Sequence, residues 1–351
     1  MGTIKEIARR AGVSPTTVSN VLHGNTGKVS PDTLARVQAI IQAVNYAPNM
    51  GAIILARKKS RIIGVIMFME PRRNETVLED PFSSTIMGAM EAEIRKRGYF
   101  MMIHTTSDED EVVRLAKTWK LAGLVLVWVP SATASIIRRT IDTPVVFVDS
   151  YFDRDGQEYH SVGLNDAEGG YLMARYLLSQ GHHEIAFIAN DAMRDGADRA
   201  RFEGCRKAFI ESGKFLDEQR YFVASKDPAE RRDFYRRLGS YPLPYSALVF
   251  SADYYAAEAL SCLQDYGVAI PGDISITGFD DNIFARIVRP RLTTIRQDVY
   301  GKGQAAVSML MSLMHREPVV EHDLRLAVEL VIGDSVRPLG SLSVLRQADT
   351  P

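Results

Sequence analysis

Apolar residues near the start of the chain recur every three or four positions, which is the spacing of amphipathic helices. The first stripe covers residues 4–11, follows the potential cap Thr3 and ends before Gly12, which permits a tight turn. The second and third stripes each follow a Ser-Pro pair, at residues 14–15 and 30–31, and this pair is a typical helix start. Three short helices, the first two joined across a glycine turn, predict a helix-turn-helix unit.

From residue 61 onward, short apolar runs alternate with helical stretches. The runs are 62–69, 100–104, 124–129 and 145–148, followed by 185–189, 247–250 and 274–279. Buried strands that alternate with helices predict parallel sheets covered by helices on both faces. Two sets of such strands predict two subdomains with a cleft between them. Open parallel sheets bind ligands beyond the carboxyl ends of their strands.

Charge is distributed unevenly along the chain. Residues 1–60 carry eight Lys or Arg and two Asp or Glu, a net charge of +6, so the remainder carries -1 minus 6, or -7. A basic head joined to an acidic body indicates that the head meets a polyanion. Charge alone leaves an ordinary solvated surface equally open, and the helix pattern is what favours nucleic acid.

Length and composition exclude several classes of protein. The 351 residues suggest two or three domains, and 46% hydrophobic with 24% charged residues fits a soluble globular chain. No run approaches about eighteen consecutive apolar residues, so we expect no membrane span. The start of the chain has no apolar signal-peptide core, and the two cysteines, Cys205 and Cys262, cannot form a disulfide framework. We therefore expect a cytoplasmic protein.

Polar residues on the second helix are candidates for contact with DNA. The amino-terminal half of that helix enters the major groove in a helix-turn-helix protein. Asn can pair with adenine, Thr and Ser can reach phosphates or base edges, and a threonine methyl can touch thymine. The outward-facing candidates are Pro15, Thr16, Thr17, Ser19 and Asn20. The alternative interpretation is the polar face of an ordinary surface helix.

Several motifs resemble those of a known protein family. The run TIKEIARRAGVSPTTVSNVLHG, followed by KVSPDTLARVQAII and YAPN, resembles the DNA-binding head of the lactose-repressor (LacI/GalR) family of bacterial transcription factors. The landmarks DPFSSTIMGAMEAEIRKRGY, PVVFVDS, GHHEIAFI, ITGFDD and LTTIRQD resemble its body, which is built like a periplasmic sugar-binding protein. The resemblance implies an α plus α/β fold: a three-helix head, a hinge helix, and a two-subdomain α/β body with parallel sheets.

The resemblance also implies a domain organisation. The expected parts are residues 1–47 for the helix-turn-helix domain, 48–60 for the hinge helix and linker, 61–340 for the effector-binding and dimerisation body, and 341–351 for a tail. Within the body we expect an N-subdomain at about 61–160 plus 291–318 and a C-subdomain at about 161–290 plus 319–340. The tail is too short for a sustained heptad repeat, so a homodimer is expected rather than a tail-zippered tetramer.

The same resemblance implies a set of DNA contacts. Base-reading positions correspond to Pro15, Thr16 and Asn20; positions nearer the phosphates are Ser14, Thr17, Ser19, Lys28 and Tyr46; Thr3, Asn49 and Ala52 complete the expected set. Leu55 is expected to wedge into the minor groove from the hinge. The hinge is too short to hold a helix alone, so its folding can be coupled to DNA binding. Relatives usually have arginine at the position of Ile53, so one phosphate contact is expected to be absent.

A small-molecule effector is expected in the cleft of the body. Arg201 matches the family's effector-binding arginine and Asp280 matches its carboxylate, and such a pair suits sugar hydroxyls or a purine edge equally. Phe82 could stack on a flat or apolar ligand face. Neighbouring pocket positions are Asp149, Asp195, Asp253 and Gln297. We expect a sugar or sugar derivative, with a nucleoside or purine as the alternative.

Together these features predict a DNA-binding transcriptional regulator of the repressor type, with a pseudo-palindromic DNA operator and an effector that controls operator affinity. The sequence holds no GxxxxGK[ST] phosphate loop and no GxSxG elbow, so we expect no catalytic residues, no cofactor and no metal. Two rivals are an exported solute-binding module, which would lack the basic head, and a sugar- or nucleotide-processing enzyme, which would need a catalytic constellation in the cleft.

Overall fold

The computed structural model of the protein describes residues 3–22, 26–46, 60–70, 76–152, 158–189, 196–240 and 242–339. The chain divides into two compact units, Met1–Ser60 and Arg61–Pro351. Four of the predicted site residues, Asn49, Ala52, Leu55 and Asp195, lie outside the described residues, as does the predicted tail.

The first unit is built from short helices that begin where the sequence predicts, and α1 also ends at the predicted glycine turn. They are α1 (Ile4–Ala11), α2 (Pro15–Leu22) and α3 (Pro31–Ala43), with a 3-10 helix at Thr26–Lys28. Gly12 ends α1 with a φ of 66°, which favours glycine. Ser14 and Ser30 cap α2 and α3 by accepting the backbone N–H groups of Thr17 and Thr33 at 3.1 and 3.4 Å. The predicted starts of α2 and α3 are confirmed.

The start of α1 has the sequence pattern of a capping box, Thr3 followed three residues later by Glu6, but Glu6 makes different contacts. The backbone N–H of Glu6 donates to Thr3 Oγ1 at 3.2 Å, as expected. The Glu6 carboxylate, however, accepts from Arg9 and Arg10 at 2.8 to 3.1 Å instead of turning back to the Thr3 backbone. Two guanidinium groups one turn away are stronger donors than a neutral backbone N–H. The Glu6 carboxylate therefore accepts hydrogen bonds from them instead.

The second unit alternates strands and helices. The elements of its first part are β1 (Ile62–Phe68), α4 (Pro81–Lys96), β2 (Phe100–Thr106), α5 (Glu109–Thr118), β3 (Gly123–Val127), α6 (Ser131–Thr140), β4 (Val145–Val148) and β5 (Ser161–Leu164). The next are α7 (Asp166–Ser179), β6 (Ile185–Ala189), α8 (Ala197–Glu211), β7 (Tyr221–Val223), α9 (Pro228–Leu238), β8 (Ala247–Phe250), α10 (Asp253–Asp265) and β9 (Ser275–Thr277). The last are α11 (Ile283–Ile287), β10 (Thr294–Gln297), α12 (Val299–His315), β11 (Asp323–Leu326) and β12 (Val328–Val331). Short 3-10 helices lie at Val77–Glu79 and Glu218–Arg220.

These strands form two parallel sheets, as the sequence predicts. The first sheet has the order β11-β5-β4-β3-β1-β2 and the second has the order β7-β6-β8-β9. Strands β3, β4, β6 and β8 are buried along their whole length, which explains their continuous apolar runs. The antiparallel pair β10 and β12 joins the edge of the second sheet through bridges from Thr277 to Thr293 and from Asp280 to Arg296.

The strand pairing divides the body differently from the predicted subdomain ranges. Strands β5 and β11 were expected in the C-subdomain, but both belong to the first sheet. Strand β10 was expected in the N-subdomain, but it lies beside β9 of the second sheet. These four-residue strands lie at points where the chain passes between the sheets. Their short sequences, which mix apolar and polar residues, carry no signal for which sheet they will join.

Helices α7 and α8 approach each other backbone to backbone. A Cβ atom on Gly170 would lie 1.8 Å from the carbonyl oxygen of Arg201, and one on Gly204 would lie 1.9 Å from the carbonyl oxygen of Ala167. Only glycine fits at either position without moving a backbone. This contact brings the first turn of α7, with Asp166, against the buried side chain of Arg201.

Among the described residues, no helix has the length and apolar character needed to cross a membrane. The thiols of Cys205 and Cys262 are free and buried.

We predict that Gly204→Ala destabilises the body by about 1–3 kcal/mol, because the new methyl group forces α7 and α8 apart. Chemical denaturation monitored by circular dichroism measures the change. The matched control is Gly88→Ala in α4, where an added Cβ meets nothing within 4 Å. There the gain in helix propensity should leave stability unchanged or raised by up to about 1 kcal/mol. Equal stability of the two variants would contradict the close approach.

Candidate DNA-binding face and effector site

The amino-terminal half of α2 places polar side chains at the surface of the head. The predicted contacts divide into exposed Ser14, Pro15 and Thr16 and half-buried Thr17, Ser19 and Asn20. On the opposite side of α2, Val18 and Val21 are buried in the core of the head, together with Ile7 and Val37. The face that remains can meet a partner without disturbing that core.

The remaining predicted contacts of the head lie at element ends. Thr3 is exposed while it caps α1, and Tyr46 is half-buried against the apolar core of the head. Lys28 closes the 3-10 helix Thr26–Lys28.

In the body, residues that follow strands of both sheets meet in one polar cluster. The members predicted from the sequence are Phe82 at the start of α4, Asp149 after β4, Arg201 in α8, Asp280 after β9 and Gln297 at the end of β10. Each is more than nine-tenths buried. The predicted convergence at the carboxyl ends of the strands is therefore present for these five residues.

Arg201 is held by a carboxylate and a carbonyl oxygen, and the carboxylate is not that of Asp280, which the resemblance paired with it. Its Nε and Nη2 atoms lie 2.8 and 2.7 Å from Asp166 Oδ1, and its Nη1 donates to the carbonyl oxygen of Ser251 at 2.5 Å. Its guanidinium carbon lies 3.6 Å from the centre of the Phe279 ring. Burial opposes the charge, but the carboxylates of Asp166, Asp198 and Asp280 raise the pKa of Arg201 above its ordinary value. Arg201 is thus a fixed cation, with Asp280 acting on it at longer range.

Asp280 is a buried carboxylate in an unusual backbone position. Its φ is 127°, and its Oδ1 accepts a hydrogen bond from the side-chain amide of Gln297. Burial, followed by the neighbouring charge of Asp253, raises the pKa of Asp280 well above its ordinary value. Such a group has capacity for a ligand hydroxyl or N–H, because a new donor would relieve the cost of its burial.

Asp253 lies beneath this cluster and already has partners for both oxygens. The Thr294 hydroxyl donates to Oδ1 at 2.6 Å, and the backbone N–H of Asn282 donates to Oδ2 at 3.0 Å. Burial raises the pKa of Asp253 to about 7. These contacts hold the turn after β9, and they occupy both carboxylate oxygens without any ligand. A role of Asp253 in ligand binding therefore stays a prediction.

Lys302, which is not among the predicted site residues, is fully buried beside the cluster. Its Nζ lies 2.8 Å from both carboxylate oxygens of Asp149 and 2.9 Å from Gln297 Oε1. A signal was available, because Lys302 precedes the buried residues Ala306 and Leu310 by four and eight positions. A lysine on the apolar stripe of a helix has to find a buried counter-charge. Asp166 was also missed, and nothing in its local sequence distinguishes it from a helix-start acid.

An aromatic pair forms one wall of the cluster. The rings of Phe82 and Trp128 are stacked with centroids 5.7 Å apart and an interplanar angle of 28°. Lys302 Nζ lies 5.0 Å from the centre of the Phe82 ring. The site therefore offers both flat apolar surface and charged hydrogen-bonding groups.

A cavity of about 370 Å³ borders Asp166. Its lining includes Tyr151, Asn165, Glu168 and Arg325. The Tyr151 hydroxyl donates to Asp166, the carboxylate that also holds Arg201.

Among the described residues, no group of three or more His, Cys, Asp or Glu side chains is arranged to hold a metal ion.

Comparison with known proteins identifies this combination of head and body. Residues 3–49 match the family model for bacterial regulatory proteins of the lacI family, and residues 174–336 match the model for a periplasmic binding protein-like domain. The HTH-type transcriptional repressor PurR of Haemophilus influenzae (strain PittEE) is 30% identical over 351 residues, covering 97% of this chain and 100% of its own. The chain belongs to the LacI family.

Other relatives agree with this LacI-family assignment. The HTH-type transcriptional regulator GalR of Escherichia coli (strain K12) is 28% identical over 328 residues, which are 92% of each chain. The Lac repressor dimer bound to operator and an anti-inducer has the same fold, with a TM-score of 0.82, 24% identity and coverage of 96% of this chain and 99% of its own. The transcriptional regulator CelR in complex with cellobiose gives a TM-score of 0.69 at 21% identity, over 95% and 100% of the two chains.

The protein is accordingly a DNA-binding transcriptional regulator controlled by a small molecule, and not an enzyme. Its head carries the helix-turn-helix, and its body has the α/β architecture of a periplasmic binding protein.

We predict that Asp166→Asn lowers the free energy of unfolding by about 2–4 kcal/mol, because it leaves the buried guanidinium of Arg201 without its nearest charge. Urea denaturation measures this change. Glu168→Gln is the matched control, since it removes an acidic charge from the same turn of α7 at an exposed position. If the free energy of unfolding fell by the same small amount in both variants, the Asp166–Arg201 pair would make no special contribution to stability.

Proposed function

We propose that this LacI-family protein acts as a homodimer and represses transcription from a pseudo-palindromic operator, which it reads with α2. We further propose that a sugar or sugar derivative bound among Arg201, Asp280, Asp149, Gln297 and Phe82 changes its operator affinity. The observation that carries this proposal is the convergence of these five side chains into one buried cluster, in which Lys302 contacts Asp149, Gln297 and the Phe82 ring, and Asp280 accepts from Gln297 and acts on the charge of Arg201. The names of its relatives, which include repressors and a cellobiose-bound regulator, support the same assignment.

Operator reading rests on the face of α2 and on the charge of the head. Two copies related by a twofold axis would place two α2 helices in successive major grooves about 34–36 Å apart. Residues 1–60 carry a net charge of +6, which supplies attraction to phosphates. Asn20, Thr16 and Pro15 would read base edges, and Ser14, Thr17, Ser19, Lys28, Tyr46 and Thr3 would hold the backbone. Asn49, Ala52 and Leu55 of the hinge complete the proposed contacts.

The sugar assignment rests on the chemistry of the cluster. Carboxylates such as Asp280 and Asp149 accept hydrogen bonds from ligand hydroxyls, and Arg201 donates to ring or hydroxyl oxygens. The Phe82–Trp128 pair offers a face against which the C–H side of a sugar ring can pack. The same stacked pair favours a purine or nucleoside as the second candidate, and several relatives are named PurR.

A protein that binds DNA inside a bacterium would work in the cytoplasm.

The test is binding of the full-length protein to genomic DNA fragments across a salt series, with and without D-galactose, D-glucose, D-ribose, adenosine and guanosine. The proposal predicts tight, salt-sensitive binding to a palindromic site, altered by a sugar. Alteration by a nucleoside alone would favour the second candidate. Weak binding that ignores DNA sequence, whatever the additive, would contradict the operator proposal.

We predict that Asn20→Ala relaxes base preference at one position of each half-site and weakens operator binding by about 1–3 kcal/mol per half-site. Competition binding with operators mutated at single base pairs measures both effects. Gln38→Ala, at an exposed position of α3 outside the proposed contacts, is the control and should leave affinity and preference intact. Unchanged base preference in Asn20→Ala would place base reading elsewhere.

We predict that Asp280→Asn abolishes most of the effector response, because it replaces a carboxylate acceptor by an amide that cannot accept two donors strongly. Operator affinity without effector should stay close to that of the parent protein. The measured quantity is the ratio of operator Kd with and without the active compound. Asp265→Asn, an exposed position at the end of α10, is the control. A full response in Asp280→Asn would remove that residue from the site.

A further inference from the structure

Lys302 stands between the two halves of the effector site. Its ammonium contacts both oxygens of Asp149, which follows β4 of the first sheet, and the amide oxygen of Gln297, which ends β10 beside the second sheet. The amide nitrogen of Gln297 donates in turn to Asp280, which follows β9. A continuous chain of charged hydrogen bonds thus runs from one sheet to the other through Lys302.

Stability alone does not account for a lysine at this position. A buried ion pair returns little net free energy, because desolvation of both charges offsets their attraction. The neighbours of its side chain also include apolar groups: its Nζ lies 5.0 Å from the centre of the Phe82 ring, and the buried residues Ala306 and Leu310 follow it on α12. What an ammonium supplies, and a methyl group does not, is a fixed direction for its two acceptors.

The first consequence concerns Asp149. Burial raises the pKa of this carboxyl, and the adjacent Lys302 opposes that effect. With the ammonium in place, Asp149 presents acceptor oxygens to a ligand. Without it, the buried carboxyl would take up a proton and become a donor.

The second consequence concerns the Gln297 amide. Because Lys302 carries only donors, it requires the oxygen of the amide to face it, and the NH₂ group must then face Asp280. An unanchored amide could turn over and present its oxygen to the Asp280 carboxylate. Lys302 and Asp280 thus act on opposite ends of the Gln297 amide, and Lys302 holds its oxygen.

We propose that Lys302 is a positioning and specificity-determining residue of the effector site, which holds Asp149 as an acceptor and orients Gln297 toward Asp280, so that one effector can engage both subdomains. This inference rests on the proposed effector site. It predicts a preference for ligands that donate hydrogen bonds toward Asp149, such as hydroxyl groups, over ligands that present an acceptor or an anion there.

The protein contains a spectroscopic reporter for this test. Trp128 stacks on Phe82, and Phe82 in turn lies beside the Lys302 ammonium. The second tryptophan, Trp119, is half-exposed, so Trp119→Phe leaves Trp128 as the single emitter. All variants below carry this substitution in the full-length chain.

The first experiment needs no effector. Trp128 emission is followed from about pH 5 to pH 8 in the parent, in Lys302→Met and in Lys302→Met/Asp149→Asn. Loss of the ammonium should shift the midpoint for Asp149 upward by at least about one pH unit in Lys302→Met, and the double variant should lack that transition. Asp166, Arg201, Tyr151 and Asp280 also face this region. The double variant keeps all four and lacks only the Asp149 carboxyl, so its comparison with Lys302→Met isolates the transition of Asp149.

The second experiment adds D-galactose, D-glucose, D-ribose, adenosine and guanosine in turn and measures Trp128 emission and operator binding. For any compound that acts on the parent, Lys302→Met should respond at least about tenfold more weakly near neutral pH and recover part of that loss at higher pH. The neutral double variant should stay weak at every pH. Lys117→Met, at an exposed position of α5, is the matched control and should respond like the parent.

The outcomes separate this inference from the proposed function. If no compound alters the parent, the effector assignment fails, while the pH titration still decides whether Lys302 controls Asp149. If compounds act equally on parent, Lys302→Met and the double variant, Lys302 has no positioning role and the inference is overturned. An unmoved emission midpoint in Lys302→Met overturns it as well. If Lys302→Met does not fold, the folded double variant decides, since a normal response there would contradict the inference.

Discussion

Charge buried at the carboxyl ends of parallel strands has to be compensated inside the protein, and this constraint shapes the body of the molecule. Arg201 is neutralised by Asp166 and Lys302 by Asp149, each at 2.7 to 2.8 Å. Each pair joins elements far apart in sequence, with partners separated by 35 and 153 positions along the chain. Both pairs therefore form only when the fold is complete, and together they fix the geometry of the cluster.

The backbone supports the first of these pairs directly. Gly170 and Gly204 let α7 and α8 meet without intervening side chains, which places Asp166 within reach of Arg201. The same carboxylate accepts from Tyr151 beside the adjoining cavity. A change in this helix contact would thus reach the proposed effector site through Arg201. Such a connection is what a regulator requires, because a ligand alters a distant equilibrium only through groups whose position differs between two states.

Prediction from the sequence was most successful where one residue type has one physical meaning. Ser14 and Ser30 before proline marked helix starts, and continuous apolar runs marked the buried strands β4, β6 and β8. Prediction was weaker for β5, β10 and β11, because four-residue strands take their place from the neighbours they pair with. In the buried cluster, the resemblance indicated Arg201 and Asp280 but not the acid that holds Arg201 or the lysine that holds Asp149.

The sequence by itself determined the helix-turn-helix head, the alternating strands and helices, the basic head on an acidic body, and the family. These follow from local signals: periodicity, capping residues and motif spacing. Only the tertiary structure decided which carboxylate pairs with Arg201, which sheet receives each short strand, and how Lys302 links Asp149 to Gln297. Those choices depend on distances between residues remote in sequence. A buried charge takes the nearest partner that the packed backbone supplies, and no local pattern encodes that distance.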